Sequence, residues 1–278
     1  MARPNRLREK IAAGKTCVGP LFQEFWSPEL FEFCAMAGFD FVIADGEHAG
    51  VDPQGVRNLA RAAQAGGATA LARVPNGEPS LVLRYLDAGV EGLILPHCNS
   101  AADAEGLVRA SRYPPRGIRG AASTSRAAGY GFTQTPPQHL EQSDREVLCL
   151  GLIEEPQAVA ALPEILKVDG LDGCFVGAGD MVLAAKQHGI KYKSISYVPG
   201  SQVRGLALLK GTIKATILDA PNKSYVMYAR SNCASANGIA RALPWWKRRS
   251  PSSRVHWLSA RAVSTYSSVR SIPVTWQP

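Results

Sequence analysis

The 278 residues suit one large α/β barrel, a fold of about 250 residues, and 46% hydrophobic residues are enough to build a sizeable core. No apolar run reaches the about 18 residues that span a bilayer, and the charged stretch 1–15 lacks the apolar centre of a secretory signal, so no membrane association and a cytoplasmic location are expected. The net charge of +8 is unevenly spread: residues 1–182 hold 16 Lys and Arg against 22 Asp and Glu, whereas residues 183–278 hold 15 against the single acidic residue Asp219. One domain rarely divides its charge so sharply. The expected organisation is therefore a barrel portion over 1–182, a degraded continuation over 183–219 and a basic, Ser-rich tail over 220–278.

In chain order, the predicted strands are Val18–Phe22, Phe39–Ala44, Ala68–Val74, Gly92–Pro96, Arg119–Ala122, Val147–Ile153 and Leu171–Val176. Helical periodicity falls between them at Pro28–Gly38, Pro53–Ala65, Pro79–Gly89, Ala101–Ser111 and Pro156–Leu166, several with Pro at the start and Gly at the end. Repeated β-α units of this size imply a parallel sheet wound by helices. Seven strands in order favour a TIM (β/α)8 barrel, and the G-x-G-x-x-G turn of an open dinucleotide-binding sheet is absent after the first strand. Val182–Gly189 and Val203–Lys210 read as further helices and Thr212–Leu218 as a strand. From Ala220 on there is no sustained periodicity, and that segment reads as loosely ordered. The cysteines at 17, 34, 98, 149, 174 and 233 form no C-x-x-C pair and sit among apolar neighbours, which reads as buried free thiols.

In such a barrel, chemistry gathers at the C-terminal ends of the strands. Those ends read Asp45-Gly46-Glu47-His48, Arg73-Val74-Pro75, Ile153-Glu154-Glu155 and Gly177-Ala178-Gly179-Asp180. Glu154 and Asp180 form a natural ligand pair for a hard divalent cation, Mg²⁺ or Mn²⁺ first, with Co²⁺ or Zn²⁺ as alternatives. Glu155 precedes Pro156 and a helix and reads as a cap. His48 is a base near neutral pH or a structural residue. Arg73, ending an apolar strand, can bind a carboxylate or an enolate oxygen, and can equally be a buried partner of Asp45 or Glu47. Residues 1–182 contain only Lys10, Lys15 and Lys167, none at a strand end, which argues against Schiff-base chemistry and for metal activation.

Several segments together resemble the HpcH/HpaI aldolase/citrate lyase family: Phe39 to His48 with its Asp-Gly-Glu-His, Tyr85 to Gly89, Leu95-Pro96, Arg112 to Gly120, and Asp169 to Asp180. The resemblance covers about residues 15–182. It implies a (β/α)8 barrel and metal-dependent cleavage of a 4-hydroxy-2-oxo acid to pyruvate, or a related 2-oxo acid, and an aldehyde. It implies His48 as the base or proton shuttle with Asp87 as its orienting partner, and Arg73 on the substrate's oxo and enolate oxygens. Glu154 and Asp180 would be the metal ligands, and the backbone amides of Gly177, Ala178 and Gly179 would hold the substrate carboxylate. The alternatives are an acyl-CoA lyase of the citrate or malyl type, for which no nucleotide site is evident, and an inactive homologue with a non-native basic tail. No nucleic acid is expected as partner, because the tail shows no binding motif.

Two positions depart from the family pattern. Leu152 stands where many members carry Gln, and the usual Gly-Pro-x-Asp-Leu-Ser reads Gly177-Ala178-Gly179-Asp180-Met181-Val182, after which the match jumps ahead by about one β-α unit. A deletion, a splice error or a frameshift explains both this jump and the change of charge. Sequencing the transcript across codons 175–225 should reveal it, and an intact, supported frame would remove the explanation. The resemblance also implies a homo-oligomer built through C-terminal helices. With that region altered, the isolated chain should aggregate, whereas a monodisperse hexamer in light scattering would contradict this.

Overall fold

In the computed structural model, the described residues are 4–177 apart from 14 and 16, then 180, 183, 184 and 187, and the strand segments 197–198, 201–209, 213–219 and 224–230. Six strands lie parallel in chain order: β1 (Cys17–Phe22), β2 (Phe41–Asp45), β3 (Thr69–Arg73), β4 (Gly92–Leu95), β5 (Leu148–Ile153) and β6 (Gly173–Val176). They make a parallel half-barrel, the TIM-type architecture in incomplete form. The helices are α1 (Arg6–Ala12), α2 (Pro28–Met36), α3 (Pro53–Gly66), α4 (Pro79–Ala88), α5 (Ala101–Ser111), α6 (Pro136–Glu146) and α7 (Pro156–Ile165). Beyond β6 come β7 (Tyr197–Val198), β8 (Ser201–Leu209), β9 (Ile213–Asp219) and β10 (Ser224–Arg230); β8 to β10 run antiparallel, with β8 pairing with β6 and β10 with β1.

The predictions for α2, α3, α4, α5 and α7 hold to within two residues, helped by their prolines and glycines. Pro stands at the start of α2, α3, α4 and α7, where a missing N–H costs nothing, and Gly67 and Gly89 end α3 and α4 in the left-handed conformation. The predicted strand Arg119–Ala122 does not form. β4 pairs directly with β5, leaving no place between them, and the Arg119 N–H instead donates to the Arg112 carbonyl in a loop. Val203–Lys210 is also not a helix: Ser201–Leu209 is β8, because pairing with β9 outweighs a weak helical pattern. Thr212–Leu218 corresponds to β9, and within the segment read as loosely ordered Ser224–Arg230 forms β10. The Val182–Gly189 prediction falls largely outside the described residues. Two helices went unread, α1 and α6, both short of the apolar stripe that made the others legible.

The core has two layers. Between sheet and helices lie Val42, Ala44, Ala70, Ala72, Leu93, Cys149 and Cys174 with the inner faces of α3, α4 and α5. Inside the half-barrel lie Phe41 and Ile43 of β2, Leu71 of β3, Ile94 of β4, Leu148, Leu150 and Leu152 of β5, and Phe175 of β6. The period of two in a strand puts alternate residues on the same face, so the inward rows continue at their C-terminal ends to Asp45, Arg73, Glu154 and Gly177. Leu152 is thus the apolar floor directly beneath Glu154. The cysteines among the described residues are free and buried, and burial pushes the thiols of Cys98 and Cys174 up to about 12.

The opposite mouth of the half-barrel is stoppered by α1, which sends Leu7 and Ile11 into the inner layer. Asn5 fixes it there. Its side-chain oxygen accepts from the Leu7 and Arg8 amides, and its Nδ2 donates to the Glu91 and Glu146 carbonyls, both at 2.9 Å. Asn5 is 1% exposed, so none of these groups can turn to water instead. Asn5→Ala removes the cap and the side-chain donor to the Glu146 carbonyl, while the Glu91 carbonyl keeps the Leu148 amide, and should cost about 2 kcal/mol, read as a lower urea midpoint with an unchanged slope.

Candidate active site

The strand-end residues meet at one mouth of the half-barrel. Arg73, 5% exposed, lies between two carboxylates. Its Nε donates to Asp45 Oδ1 at 2.8 Å, its Nη2 donates to Asp45 Oδ2, and its Nη1 stands 2.8 Å from Glu47 Oε2 as an ion pair without hydrogen-bond geometry. Asp45 is fully buried, and its Oδ1 also accepts from the Glu47 and His48 amides, which shapes the turn that follows β2. Gly46 is required in that turn: its N–H donates to the Arg73 carbonyl, and a Cβ would lie 2.3 Å from the Tyr85 hydroxyl. Burial works against ionising Asp45, but the Arg73 hydrogen bonds and charge and the turn amides outweigh it and hold the carboxyl below its ordinary value.

Glu154, at the end of β5, is 1% exposed and accepts from the His97 amide at 2.7 Å. Its carboxyl is raised above the usual range, first by burial and further by the charges of Glu47 and Asp180, although the His97 amide and ring oppose this. A carboxylate that is buried and crowded by others is the environment that a bound cation relieves. The donor atoms of Glu47, His97 and Glu154 all lie within 4.8 Å of one another. These residues therefore fit a divalent cation by donor type and convergence.

Of the residues read from the sequence, Arg73 and Glu154 are brought together, and Asp180 is close enough to act on Glu154 electrostatically. His48 is half exposed, its Nε2 3.9 Å from Glu47 Oε2. Asp87 is engaged elsewhere: it accepts from Arg119 Nη2 at 2.8 Å, and Arg119 lies over the Tyr113 ring. The Gly177 amide donates to the Ile153 carbonyl at 2.8 Å and so is not free to hold a carboxylate. Gly177 has a different task, since a Cβ there would sit 2.6 Å from Glu154 Cβ and 2.8 Å from its Oε2. Ala178 and Gly179 lie outside the described residues.

The sequence does not single out Glu47 and His97, whose donor atoms converge with those of Glu154, and it reads Glu155 as a helix cap. His97 directly follows Leu95-Pro96 at the end of β4, one more strand end with a polar residue, so the signal was present. Glu155 occupies the N-cap position of α7 but makes no capping bond. Its carboxylate instead accepts from Asn99 Nδ2 at 3.0 Å and Gln157 Nε2 at 2.7 Å, and lies 2.9 Å from His97 Nδ1. Burial alone would lower the His97 pKa, but Glu154, Glu155 and Glu47 together raise it.

A parallel half-barrel whose acidic strand ends converge is a TIM-type architecture in incomplete form. This chain belongs to the HpcH/HpaI aldolase/citrate lyase family, a family of aldolases and lyases, whose sequence model matches residues 20–197. It is 36% identical over 185 residues to 4-hydroxy-2-oxovalerate aldolase of Rhodococcus jostii, covering 64% of this chain and 67% of that one. It is 35% identical over 181 residues to hydroxypyruvate/pyruvate aldolase of Roseovarius nubinhibens, covering 65% and 69%. Among solved structures, the HpcH/HpaI aldolase of Desulfitobacterium hafniense superposes with a TM-score of 0.61 at 30% identity, over 66% of this chain and 69% of that one. Among the described residues, no helix is long and apolar enough to cross a membrane.

Asp45→Asn leaves the Arg73 guanidinium buried with half its pairing gone and should cost about 3–5 kcal/mol in denaturant unfolding. Because the folded-state pKa of Asp45 is depressed, its stabilisation is present above the ordinary value of 3.8 and is lost as pH falls through the folded value. The stability gap between wild type and Asp45→Asn should accordingly narrow in acid and be constant at neutral pH.

Proposed function

We propose that this chain is a divalent-metal-dependent aldolase that cleaves a 4-hydroxy-2-oxo acid to pyruvate, or a related 2-oxo acid, and an aldehyde. The observation that carries this reading is the convergence of Glu47 and Glu154 beside the buried Arg73 at the strand ends of a family half-barrel. The activities named for the Rhodococcus and Roseovarius relatives support it. Glu154 and Asp180 would hold the cation, Mg²⁺ or Mn²⁺, with Glu47 adjoining. When bound, the cation supplies Lewis-acid polarisation of the substrate's 2-oxo group.

The chain's own residues provide the rest. Asp45 and Glu47 leave some of the Arg73 N–H donors unused, and these hold the oxo oxygen and stabilise its negative charge as the C–C bond breaks. Because Asp45 fixes the guanidinium, little reorganisation is needed when that charge develops. His48 accepts the proton of the 4-hydroxyl, whose electrons form the aldehyde carbonyl while the bonding pair passes to the enolate. Protonation of that enolate gives the 2-oxo acid. In this reading Glu47 is the carboxylate facing His48, while Asp87 stays with Arg119.

Pyruvate release from 4-hydroxy-2-oxo acids, with Mg²⁺ or Mn²⁺ added to the folded full-length chain, tests the reading. Arg73→Lys should lower kcat by roughly 10²–10³-fold and His48→Gln by roughly 10²–10⁴-fold. Turnover that ignores added metal or chelator, or no turnover at all, would overturn it.

A further inference from the structure

We propose that His97 is a nitrogen ligand of the cation, making the centre a mixed carboxylate–imidazole site that favours Co²⁺, Zn²⁺ or Mn²⁺ over Mg²⁺. The inference rests on the metal reading above and adds to it the identity of a ligand and the class of metal. It follows from where His97 stands, which of its ring atoms is left over, and what holds the ring.

His97 leaves β4 with a φ of 50°, a left-handed backbone that non-glycine residues seldom adopt. That turn brings its amide onto Glu154 Oε1 and its ring between two strand ends, with Nε2 3.4 Å from Glu47 Oε1 and Nδ1 3.3 Å from Glu154 Oε1. Two ligands of one ion, each about 2.1 Å from it, can be separated by about 4.2 Å. The Glu47, His97 and Glu154 donors lie within 4.8 Å of one another, so they draw together to face one ion.

The nitrogen to be used is set by the residues behind the ring. Glu155 Oε1 lies 2.9 Å from Nδ1, and Glu155 is itself held by Asn99 and Gln157. A carboxylate anchored in this way retains the proton on Nδ1 and leaves the Nε2 lone pair directed to the Glu47 side. Carboxylate–histidine–metal arrangements work by the same device, with the outer carboxylate fixing tautomer and ring orientation. This also accounts for the missing helix cap on α7, since Glu155 spends its carboxylate on the ring and not on its own helix. The competing account has His97 merely as a cation that neutralises Glu47 and Glu155. A metal would then displace the ring and not bind it. The two accounts differ in metal preference, because imidazole suits Zn²⁺ and Co²⁺ whereas Mg²⁺ takes oxygen ligands.

Pulsed EPR of the Mn²⁺-loaded full-length protein, with calorimetric titration of the metal-free protein by Mn²⁺, Co²⁺ and Mg²⁺, decides between them. The wild-type spectrum should show a directly bound ¹⁴N, which needs no variant to read. His97→Gln should abolish that coupling and weaken Co²⁺ binding on the order of 100-fold while changing Mg²⁺ binding by less than about threefold. Glu155→Gln should keep the nitrogen coupling and weaken Co²⁺ binding by roughly 10–100-fold. Bound Mn²⁺ without ¹⁴N coupling, or equal losses for Co²⁺ and Mg²⁺ in His97→Gln, overturns the inference and leaves the metal reading standing. If no divalent cation binds the folded wild type, the metal reading itself fails, and the inference fails with it.

Discussion

The site depends on the guanidinium of Arg73, fixed by Asp45 at the end of the neighbouring strand. Two groups that would each be costly to bury alone are tolerable together because two Arg73 N–H groups and two backbone amides meet the Asp45 carboxylate. Asp45 accepts from Arg73 and from two backbone amides, so the same carboxylate that neutralises the guanidinium also shapes the turn carrying Glu47 and His48. One buried pair thus sets the position of a cation, a carboxylate and an imidazole. The apolar rows of β2, β3 and β5 beneath them exclude water and keep these interactions strong.

That pair does not neutralise the mouth of the half-barrel. Asp45, Glu47, Glu154, Glu155 and Asp180 gather around one Arg side chain, with the imidazoles of His97 and His48 beside them. The raised carboxyl of Glu154 is the local expression of that excess. A divalent cation is the economical way to offset it, and the neutral alternative, protonating buried carboxylates, would leave acceptor atoms such as Glu47 Oε2 without a hydrogen-bond donor.

Much of this was legible from local sequence signals. Apolar periodicity, with proline at the start of α2, α3, α4 and α7 and glycine at the end of α3 and α4, gave α2, α3, α4, α5 and α7 almost to the residue, and apolar runs gave the six parallel strands. Polar residues placed directly after those runs marked Arg73 and Glu154, which the fold brings together. The illegible parts depend on distant partners. Arg119–Ala122 has strand-like composition, but β4 and β5 pair with each other and exclude it. Glu155 has the position of a helix cap, yet its carboxylate is taken by His97 and Asn99, residues 58 and 56 positions away. Asp87, matched to a proton relay by resemblance, is held by Arg119, a pairing across a long loop that no local pattern announces.

Gly177 shows how little of such a site needs to be chemical in order to be specific. It follows β6 on the inward row, where any Cβ would collide with Glu154. The residue contributes no ligand, and its amide is used by the sheet. Its absent side chain is nonetheless what lets the Glu154 carboxylate lie against the end of β6, within electrostatic reach of Asp180. The barrel supplies the strand ends, the buried ion pair supplies the orientation, and a glycine supplies the space in which the Glu154 carboxylate lies against the end of the neighbouring strand.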